Sequence, residues 1–182
     1  MKSQASVVMN RLFEMSEQAK SLMSKEYEFF IKKDDWRGLG YILNGQRVVS
    51  SMNEVREIID VPELITIVPD TRPWFLGLSN LRGEVLPITD LQFFMGGSPT
   101  IKNSRAKVLI VKNRGKHVGL LVPALLGIQR LSRTQSSKNQ ECRNQLDLFV
   151  YEIFELDDEI WPVVSMAALL NDRHFLMRKN VN

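Results

Sequence analysis

"NLRGEVLPITDL", residues 80–91, joins a polar turn to an apolar segment. Asn80, Arg82 and Gly83 form the turn. The apolar residues that follow it are Val85, Leu86, Ile88 and Leu91. A short apolar run bounded by a turn signal predicts a buried β-strand. Gly83 permits a backbone conformation that a β-carbon forbids, and the Arg82 guanidinium is a fork of donors suited to carboxylates. We therefore expect a strand that begins at a surface turn, with Arg82 bonded either to a partner or to its own loop.

Short apolar segments on both sides of this stretch predict further strands. Two hairpins are predicted, Leu39–Leu43 with Arg47–Ser51 around "NGQ", and Lys107–Lys112 with His117–Val122 around "NRGK". The other predicted strands are Val55–Ile59, Glu84–Asp90, Leu126–Leu131, Leu148–Leu156 and Ile160–Val164, with an extended piece over Leu64–Val68. Phe75–Leu81 contains Gly77 and is predicted to be a helical turn or tight loop. Met166–Leu170 is predicted to be a short closing helix.

This spacing of strands predicts the fold class. About nine short strands with only short helical pieces between them favour small antiparallel barrels over parallel βαβ units. About 140 residues follow the N-terminal part of the chain, which fits two five-stranded barrels packed together. We expect the first barrel over about 37–100, the second over about 104–165 and a closing helix over about 166–171.

The N-terminal part of the chain is predicted to be an amphipathic helix over residues 5–31. Its apolar stripe consists of Val8, Leu12, Met15, Ala19 and Leu22, at spacings of three and four residues. "KKDDWRG", residues 32–38, interrupts this pattern. We therefore expect a helical extension over 1–36 and a main domain over 37–176, followed by a tail over 177–182. No apolar run approaches the roughly 18–20 residues that span a bilayer, so the expected location is the cytoplasm.

Charge is clustered although the net charge is only +3, from 24 basic and 21 acidic residues. The basic run contains Lys102, Arg105, Lys107, Lys112, Arg114 and Lys116. The acidic run contains Glu152, Glu155, Asp157, Asp158 and Glu159. A nucleic-acid-binding protein usually concentrates one sign of charge on one face. Two opposite runs favour protein partners, and the alternative is that both are solvated hairpin turns.

Catalytic and metal-binding patterns are missing from the sequence. The chain has two histidines, His117 and His174, and one cysteine, Cys142. Their spacing matches neither His-x-x-x-His nor Cys-x-x-Cys, and "MGGSP" at 95–99 lacks the lysine of a phosphate-binding loop. We therefore expect both histidines to be surface residues, and we expect no enzymatic activity, no metal and no cofactor.

A small-barrel nucleic-acid-binding protein is the alternative from another functional class. The aromatic residues that would stack on bases are Trp74, Phe75, Phe93 and Phe94. Acidic residues in the same half of the chain oppose this alternative because they repel phosphate. They are Glu57, Asp60, Glu63, Asp70, Glu84 and Asp90.

"PWFLGLSNLRGEVLPITDLQFFMGG", residues 73–97, resembles the signature of CheW-like domains, the adaptor modules of bacterial chemosensory arrays. The family carries a G-x-x-N-x-R-G-x-x-x-P-x-x-D-L-type run, and the matching residues here are Gly77, Asn80, Arg82, Gly83, Pro87, Asp90 and Leu91. The resemblance covers about residues 37–172. It implies two small five-stranded SH3-like β-barrels and no catalysis. It also implies two partners, the cytoplasmic tip of a methyl-accepting chemoreceptor and the regulatory domain of a CheA-type histidine kinase.

Within that family the chain is most similar to the PilI-type adaptor of type IV pilus systems. "WRGLGYILNGQRVVSSMNEVREII", residues 36–59, and the tryptophan of "TRPWFLGLSNLRG", residues 71–83, carry this likeness. It implies a role in twitching motility, and the same adaptor role in flagellar chemotaxis stays open as an alternative.

The residues expected to bind partners come from the signature, from the strand before it and from the second hairpin. They are Val55, Glu57, Asn80, Arg82, Gly83, Asp90, Lys112, Arg114 and Lys116. Arg82 and Glu57 are expected to line one groove. Asp90 ends the predicted strand, which favours a part in fixing the local turn over a contact with the partner.

Overall fold

The computed structural model of the chain describes residues 35–113, 115–132, 136–137, 145–156 and 158–175. The predicted helix over 5–31 and residues Arg114, Cys142 and Asp157 lie outside the described residues. The strands are β1 (Asp35–Leu43), β2 (Gln46–Ser51), β3 (Val55–Asp60), β4 (Phe75–Leu81), β5 (Glu84–Asp90), β6 (Lys107–Asn113), β7 (Lys116–Val122), β8 (Ala124–Ser132), β9 (Ser136–Ser137), β10 (Val150–Leu156) and β11 (Glu159–Val164). The helices are α1 (Leu91–Phe94), a 3-10 helix (Gln145–Phe149) and α2 (Met166–Asn171). The predicted mostly-β fold class is confirmed.

Both predicted hairpins form. β1 pairs with β2 across Asn44 and Gly45, whose positive φ angles of 52° and 78° match the twist of two-residue hairpin turns. β6 pairs with β7 from Lys107↔Val122 to Asn113↔Lys116. The closing helix α2 is capped by Ser165, whose side chain accepts a hydrogen bond from Ala168 N.

The strands form two sheets, and each sheet takes strands from both halves of the chain. The six-stranded sheet has the order β8-β1-β2-β11-β10-β9, and the five-stranded sheet has the order β3-β6-β7-β5-β4. β2 pairs with β11 in parallel at Val49↔Val163, and β5 pairs with β7 in parallel from Ile88↔Gly119 to Asp90↔Leu121. The strands are therefore not divided in chain order over 37–100 and 104–165, because these parallel pairs cross the expected boundary.

Three buried clusters fill the fold. One lies on the six-stranded sheet (Val49, Leu131, Phe154, Trp161 and Val163) and one on the five-stranded sheet (Leu86, Ile88, Ala106, Val108, Ile110 and Leu121). The largest cluster draws on both sheets and on the helices, so it joins the two sheets into one body. Tyr41 lies in it and hydrogen-bonds to Ser50, 2.8 Å away. Burial raises the pKa of Tyr41, which keeps its phenol neutral.

β4 corrects the expectation of a helical turn or tight loop over Phe75–Leu81. This segment is a strand paired with β5, and its register shifts between Phe75 and Gly77. Gly77 has a φ of +134°, and a β-carbon there would lie 2.2 Å from the Thr66 carbonyl oxygen. Thr66 and Leu78 exchange backbone hydrogen bonds of 2.7 and 2.8 Å. The glycine therefore marks a bulge with a close backbone approach inside a strand, not the end of one.

Candidate functional site

Arg82 and Gly83 are the two residues of the tight turn between β4 and β5. Their φ angles are +52° and +89°, so both adopt the left-handed conformation that this kind of turn requires. Asn80 Oδ1 accepts a hydrogen bond from Gly83 N at 2.8 Å, which fixes the turn. The predicted polar turn is confirmed. The Arg82 side chain is 76% exposed, so the turn presents its guanidinium to solvent.

Arg82 donates two hydrogen bonds to the carboxylate of Glu57. The distances are 2.5 Å from Nη2 to Oε1 and 3.2 Å from Nη1 to Oε2, a bidentate arrangement. Glu57 lies on β3, and β3 and β4 are the two edge strands of the five-stranded sheet. The ion pair therefore connects the β4–β5 turn to the opposite edge of the same sheet. The structure brings these two predicted residues together beside a cleft of about 110 Å³.

The ends of several strands meet around this pair. Ile88 pairs in parallel with Gly119. Glu84 and Gly115 lie four residues before these two positions, so the β4–β5 turn and the β6–β7 turn lie at the same end of the sheet. Antiparallel pairing of Val55 with Val111 brings the start of β3 to the same place. We call this region, comprising the two turns and the start of β3, the Arg82 end of the five-stranded sheet.

His117 is the centre of a second charged contact at the Arg82 end. Its Nε2 lies 2.7 Å from Arg56 Nη1, and its Nδ1 lies 2.9 Å from Glu84 Oε2. The His117 side chain is only 14% exposed, so the expectation of a simple surface histidine is wrong. The sequence alone does not indicate that Arg56, Glu84 and His117 contact one another. β7 is buried on both faces from Val118 to Val122, so the sequence of this strand gives no signal that singles out His117.

The basic run is divided by the length of β6. Lys112 pairs across the hairpin with His117, and Lys116 begins β7, so both lie at the Arg82 end. Lys102 and Arg105 precede β6 and therefore lie beyond its other end. Lys107, at the start of β6, forms an ion pair of 2.8 Å with Asp60. The run is thus two separate groups in space, and in the group at the start of β6 the charge of Lys107 is balanced by Asp60.

Asp90 and Val55 take structural positions. Asp90 is 1% exposed, at the opposite end of β5 from Arg82. Its carboxylate accepts hydrogen bonds from Phe93 N at 3.1 Å and from Thr100 N and Oγ1 at 2.7 and 2.8 Å. The assignment of Asp90 as a partner-binding residue is therefore wrong, because its charge is buried and fully engaged, whereas its part in fixing the turn is confirmed. Val55 is half-buried and packs against the largest of the three buried clusters.

Of the four aromatic residues considered for base stacking, Trp74, Phe75 and Phe94 pack into the interior, and Phe93 is half-buried. Phe75 and Phe94 are buried, at 7% and 1% exposure. The Trp74 ring packs edge-on against the Phe94 ring with a centroid distance of 5.4 Å. Base stacking needs exposed ring faces, so these residues do not form a platform for single strands.

The described residues of the acidic run, Glu152, Glu155, Asp158 and Glu159, lie on the β10–β11 hairpin of the six-stranded sheet. Glu159 forms an ion pair with Arg47, and the Arg47 guanidinium lies 5.8 Å from the centre of the Trp161 ring. In the part of the chain that the structure describes, no group of three or more His, Cys, Asp or Glu residues is arranged to hold a metal ion. No helix within that part is long and apolar enough to cross a membrane.

Curated relatives agree with the resemblance in the signature. The chain is 31% identical to Protein PilI of Pseudomonas aeruginosa over 142 residues, which cover 78% of this chain and 79% of PilI. It is 27% identical to the probable chemotaxis protein CheW of Rhizobium etli over 143 residues, covering 78% of this chain and 92% of that protein.

A solved structure and a family profile complete the comparison. The crystal structure of the scaffolding protein TtCheW from Thermoanaerobacter tengcongensis superposes with a TM-score of 0.67 at 21% identity, covering 78% of this chain and 91% of that one, which establishes a shared fold. The profile described as the CheW-like domain matches residues 37–174, which include both sheets and the Arg82 end. The chain therefore belongs to the family of CheW-like domain proteins.

Proposed function

We propose that this chain is a non-catalytic adaptor that couples a methyl-accepting chemoreceptor to a CheA-type histidine kinase in a cytoplasmic chemosensory array. Membership of the CheW-like family supports an adaptor role. The similarity to PilI supports a type IV pilus system that controls twitching motility. The adaptor acts by holding the receptor tip and the regulatory domain of the kinase at the same time.

The observation that carries this proposal is the exposed Arg82–Glu57 pair. The Arg82 side chain is 76% exposed and rises from a rigid two-residue turn, so little conformational entropy is lost when a partner binds it. Glu57 satisfies the guanidinium in the free protein and orients it. The oriented guanidinium can then donate a hydrogen bond to a carboxylate or backbone carbonyl of the partner. Arginines of this kind are frequent anchors of protein interfaces.

Reconstitution of the kinase with its receptor tests the adaptor role directly. The full chain is mixed with the cognate kinase and receptor, and kinase autophosphorylation is measured with labelled ATP. We expect receptor-dependent control of the kinase only when the chain is present, and weaker control with Arg82→Ala. Arg105→Ala is the matched control, because Arg105 is exposed beyond the other end of β6. Equal kinase control without the chain contradicts the proposal.

Flagellar chemotaxis is the second candidate, because the Rhizobium etli relative is named a probable chemotaxis protein CheW. Deletion of the coding sequence separates the two candidates by phenotype. Loss of twitching with normal swimming supports the pilus system, whereas loss of swimming bias with normal twitching supports the flagellar one. Complementation with the wild-type chain must restore the affected behaviour.

A further inference from the structure

The hydrogen bonds of His117 fix which of its ring nitrogens carries the proton. An arginine guanidinium only donates hydrogen bonds, so Nε2, 2.7 Å from Arg56 Nη1, must accept. Nδ1 must then carry the proton and donate it to Glu84 Oε2 at 2.9 Å. The ring is therefore neutral in this arrangement. We propose that His117 is a proton-sensitive latch that sets the charge of the Arg82 end; its effect on partners rests on the proposed function.

The latch joins three strands. Arg56 lies on β3, His117 on β7 and Glu84 on β5, so the imidazole connects the edge strand β3 to the interior of the sheet. The other charged groups around it are Glu57 on β3, Arg82 on the β4–β5 turn, Lys112 on β6 and Lys116 on β7. Because the ring is only 14% exposed, few water molecules can replace a lost partner. A change in its hydrogen-bonding pattern is therefore transmitted to the neighbouring side chains.

Protonation of the ring reverses one of its two contacts. With a second proton, Nε2 becomes a donor and faces the N–H groups of Arg56, so that contact breaks and the guanidinium is released with its charge. The contact with Glu84 strengthens, because it becomes an ion pair.

The charge of the group follows from the same step. Arg56 and Arg82 balance Glu57 and Glu84 while His117 is neutral, and the added proton brings the sum of these five residues to +1. Lys112 and Lys116 lie beside them, so the Arg82 end becomes more positive as the pH falls. An acidic partner surface therefore binds more tightly to the protonated form. By linkage, the bound partner also favours the protonated ring.

Ring NMR of the full chain tests the latch without any partner. His117 and His174 are the two histidines, and His174 Nδ1 lies 3.5 Å from Asp172 Oδ1, so the reference is the same chain unfolded in urea. At about pH 8, where imidazole is neutral, we expect the nitrogen shifts of His117 to report a proton on Nδ1. We expect both histidines of the unfolded chain to show the Nε2-protonated form that free histidine prefers. A proton on Nε2 of His117 at this pH overturns the proposal.

Binding measured at two pH values tests the coupling. The probes are the regulatory domain of the cognate kinase and the receptor tip, each titrated with the full chain at about pH 8 and about pH 5.5. We expect the affinity for a probe that presents an acidic surface to the Arg82 end to rise about two- to fivefold at the lower pH, as for one added surface charge, and the rise to shrink at high salt.

Two glutamine substitutions separate His117 from other titrating groups. In His117→Gln the amide oxygen accepts from Arg56 and the amide nitrogen donates to Glu84, with no proton to gain, so the rise in affinity should disappear. His174→Gln should keep it. An equal rise in His117→Gln, or no rise in the wild type, overturns the coupling. If neither probe binds at any pH, the proposed function fails, and the ring NMR alone decides whether the latch exists.

Discussion

Asp90 holds Thr100 with both of its carboxylate oxygens, Oδ2 at 2.7 Å from the Thr100 amide nitrogen and Oδ1 at 2.8 Å from its hydroxyl. Oδ1 also accepts from Phe93 N at 3.1 Å, so the same side chain caps α1. A buried carboxylate is stable only when its charge is met by such donors. Asp90 therefore connects the end of β5 to the segment that leads into β6. This residue of the family signature has a structural role inside the fold.

Asp90→Ala should lower the free energy of unfolding by about 2–4 kcal/mol, because it removes a helix cap and leaves buried donors without an acceptor. Urea denaturation followed by circular dichroism measures the change. Ser98→Ala, at an exposed position in the same connection, is the control and should stay within about 0.5 kcal/mol. Normal stability of Asp90→Ala together with lost partner binding would return Asp90 to the interface.

Gly77→Ala should destabilise the chain more than Gly45→Ala. Both glycines have positive φ, so alanine is strained by about 1–2 kcal/mol at either position. Gly45 has open space around it, whereas a β-carbon at Gly77 meets the Thr66 carbonyl and must break the Thr66–Leu78 pairing. Thermal unfolding of the two variants gives the comparison. Equal melting temperatures would show that this backbone contact adds nothing to stability.

Arg82→Ala should leave the melting temperature close to that of the wild type, because exposed ion pairs contribute about 0–1 kcal/mol. The same change should weaken receptor or kinase binding by about 2 kcal/mol or more if Arg82 anchors the interface. Glu57→Arg should act similarly, since it repels the guanidinium that Glu57 now orients. Calorimetry and separate titrations with each partner provide the measurements. A large drop in melting temperature with normal binding would make Arg82 a structural residue.

Reversing Lys112 and Lys116 to glutamate should slow association with an acidic partner at low salt, since charge steers the encounter. Reversing Lys102 and Arg105 is the matched control, because the same charge change is made beyond the other end of β6. Stopped-flow association rates at low and physiological salt distinguish the pairs. Equal rates for both double variants would mean that the β6–β7 turn is merely solvated.

Removal of the first 32 residues should leave the unfolding of the sheets within about 0.5 kcal/mol, because the predicted extension is separated from them by a polar break. Trp36, which stacks on Phe154 at 5.4 Å, is kept in the shortened chain. Urea denaturation of the two forms gives the comparison, and loss of cooperative unfolding on truncation would show that the apolar stripe belongs to the core. Co-sedimentation with receptor and kinase then tests whether the extension acts in assembly.

Local signals account for the parts of the fold that the sequence predicts well. The Asn44-Gly45 turn, the two short strands around it and the Arg82-Gly83 turn are each set by a few neighbouring residues. Gly77 misled the prediction because a glycine inside an apolar run has the same local pattern in a bulged strand as in a turn. The pairing of β2 with β11 was not predictable, since no local pattern specifies partners more than a hundred residues apart.

In the candidate site, too, some contacts can be predicted from the sequence and others cannot. The sequence analysis predicts that Arg82 and Glu57 line one groove, and the structure brings them into contact. The contact of His117 with Arg56 and Glu84 was missed, because a single histidine carries no spacing pattern. Its surroundings depend on three strands whose order in the sheet the sequence does not specify.

The order of the strands along the chain affects how the protein folds during synthesis. The five-stranded sheet is formed by β3 to β7, which lie between the strands of the six-stranded sheet. β5 pairs with β4 but gains its second neighbour only with β7, and β2 pairs with β1 but gains its second neighbour only with β11, which ends at Val164. A ribosome must therefore release nearly the whole described region before the six-stranded sheet is complete, whereas the last strand of the five-stranded sheet, β7, ends at Val122. Contacts so distant in sequence also slow folding. The six-stranded sheet cannot be cut out as one continuous fragment, because β3 to β7 lie between β2 and β8 in the chain, and a nascent chain stalled before residue 159 would expose the edge of β2 to aggregation.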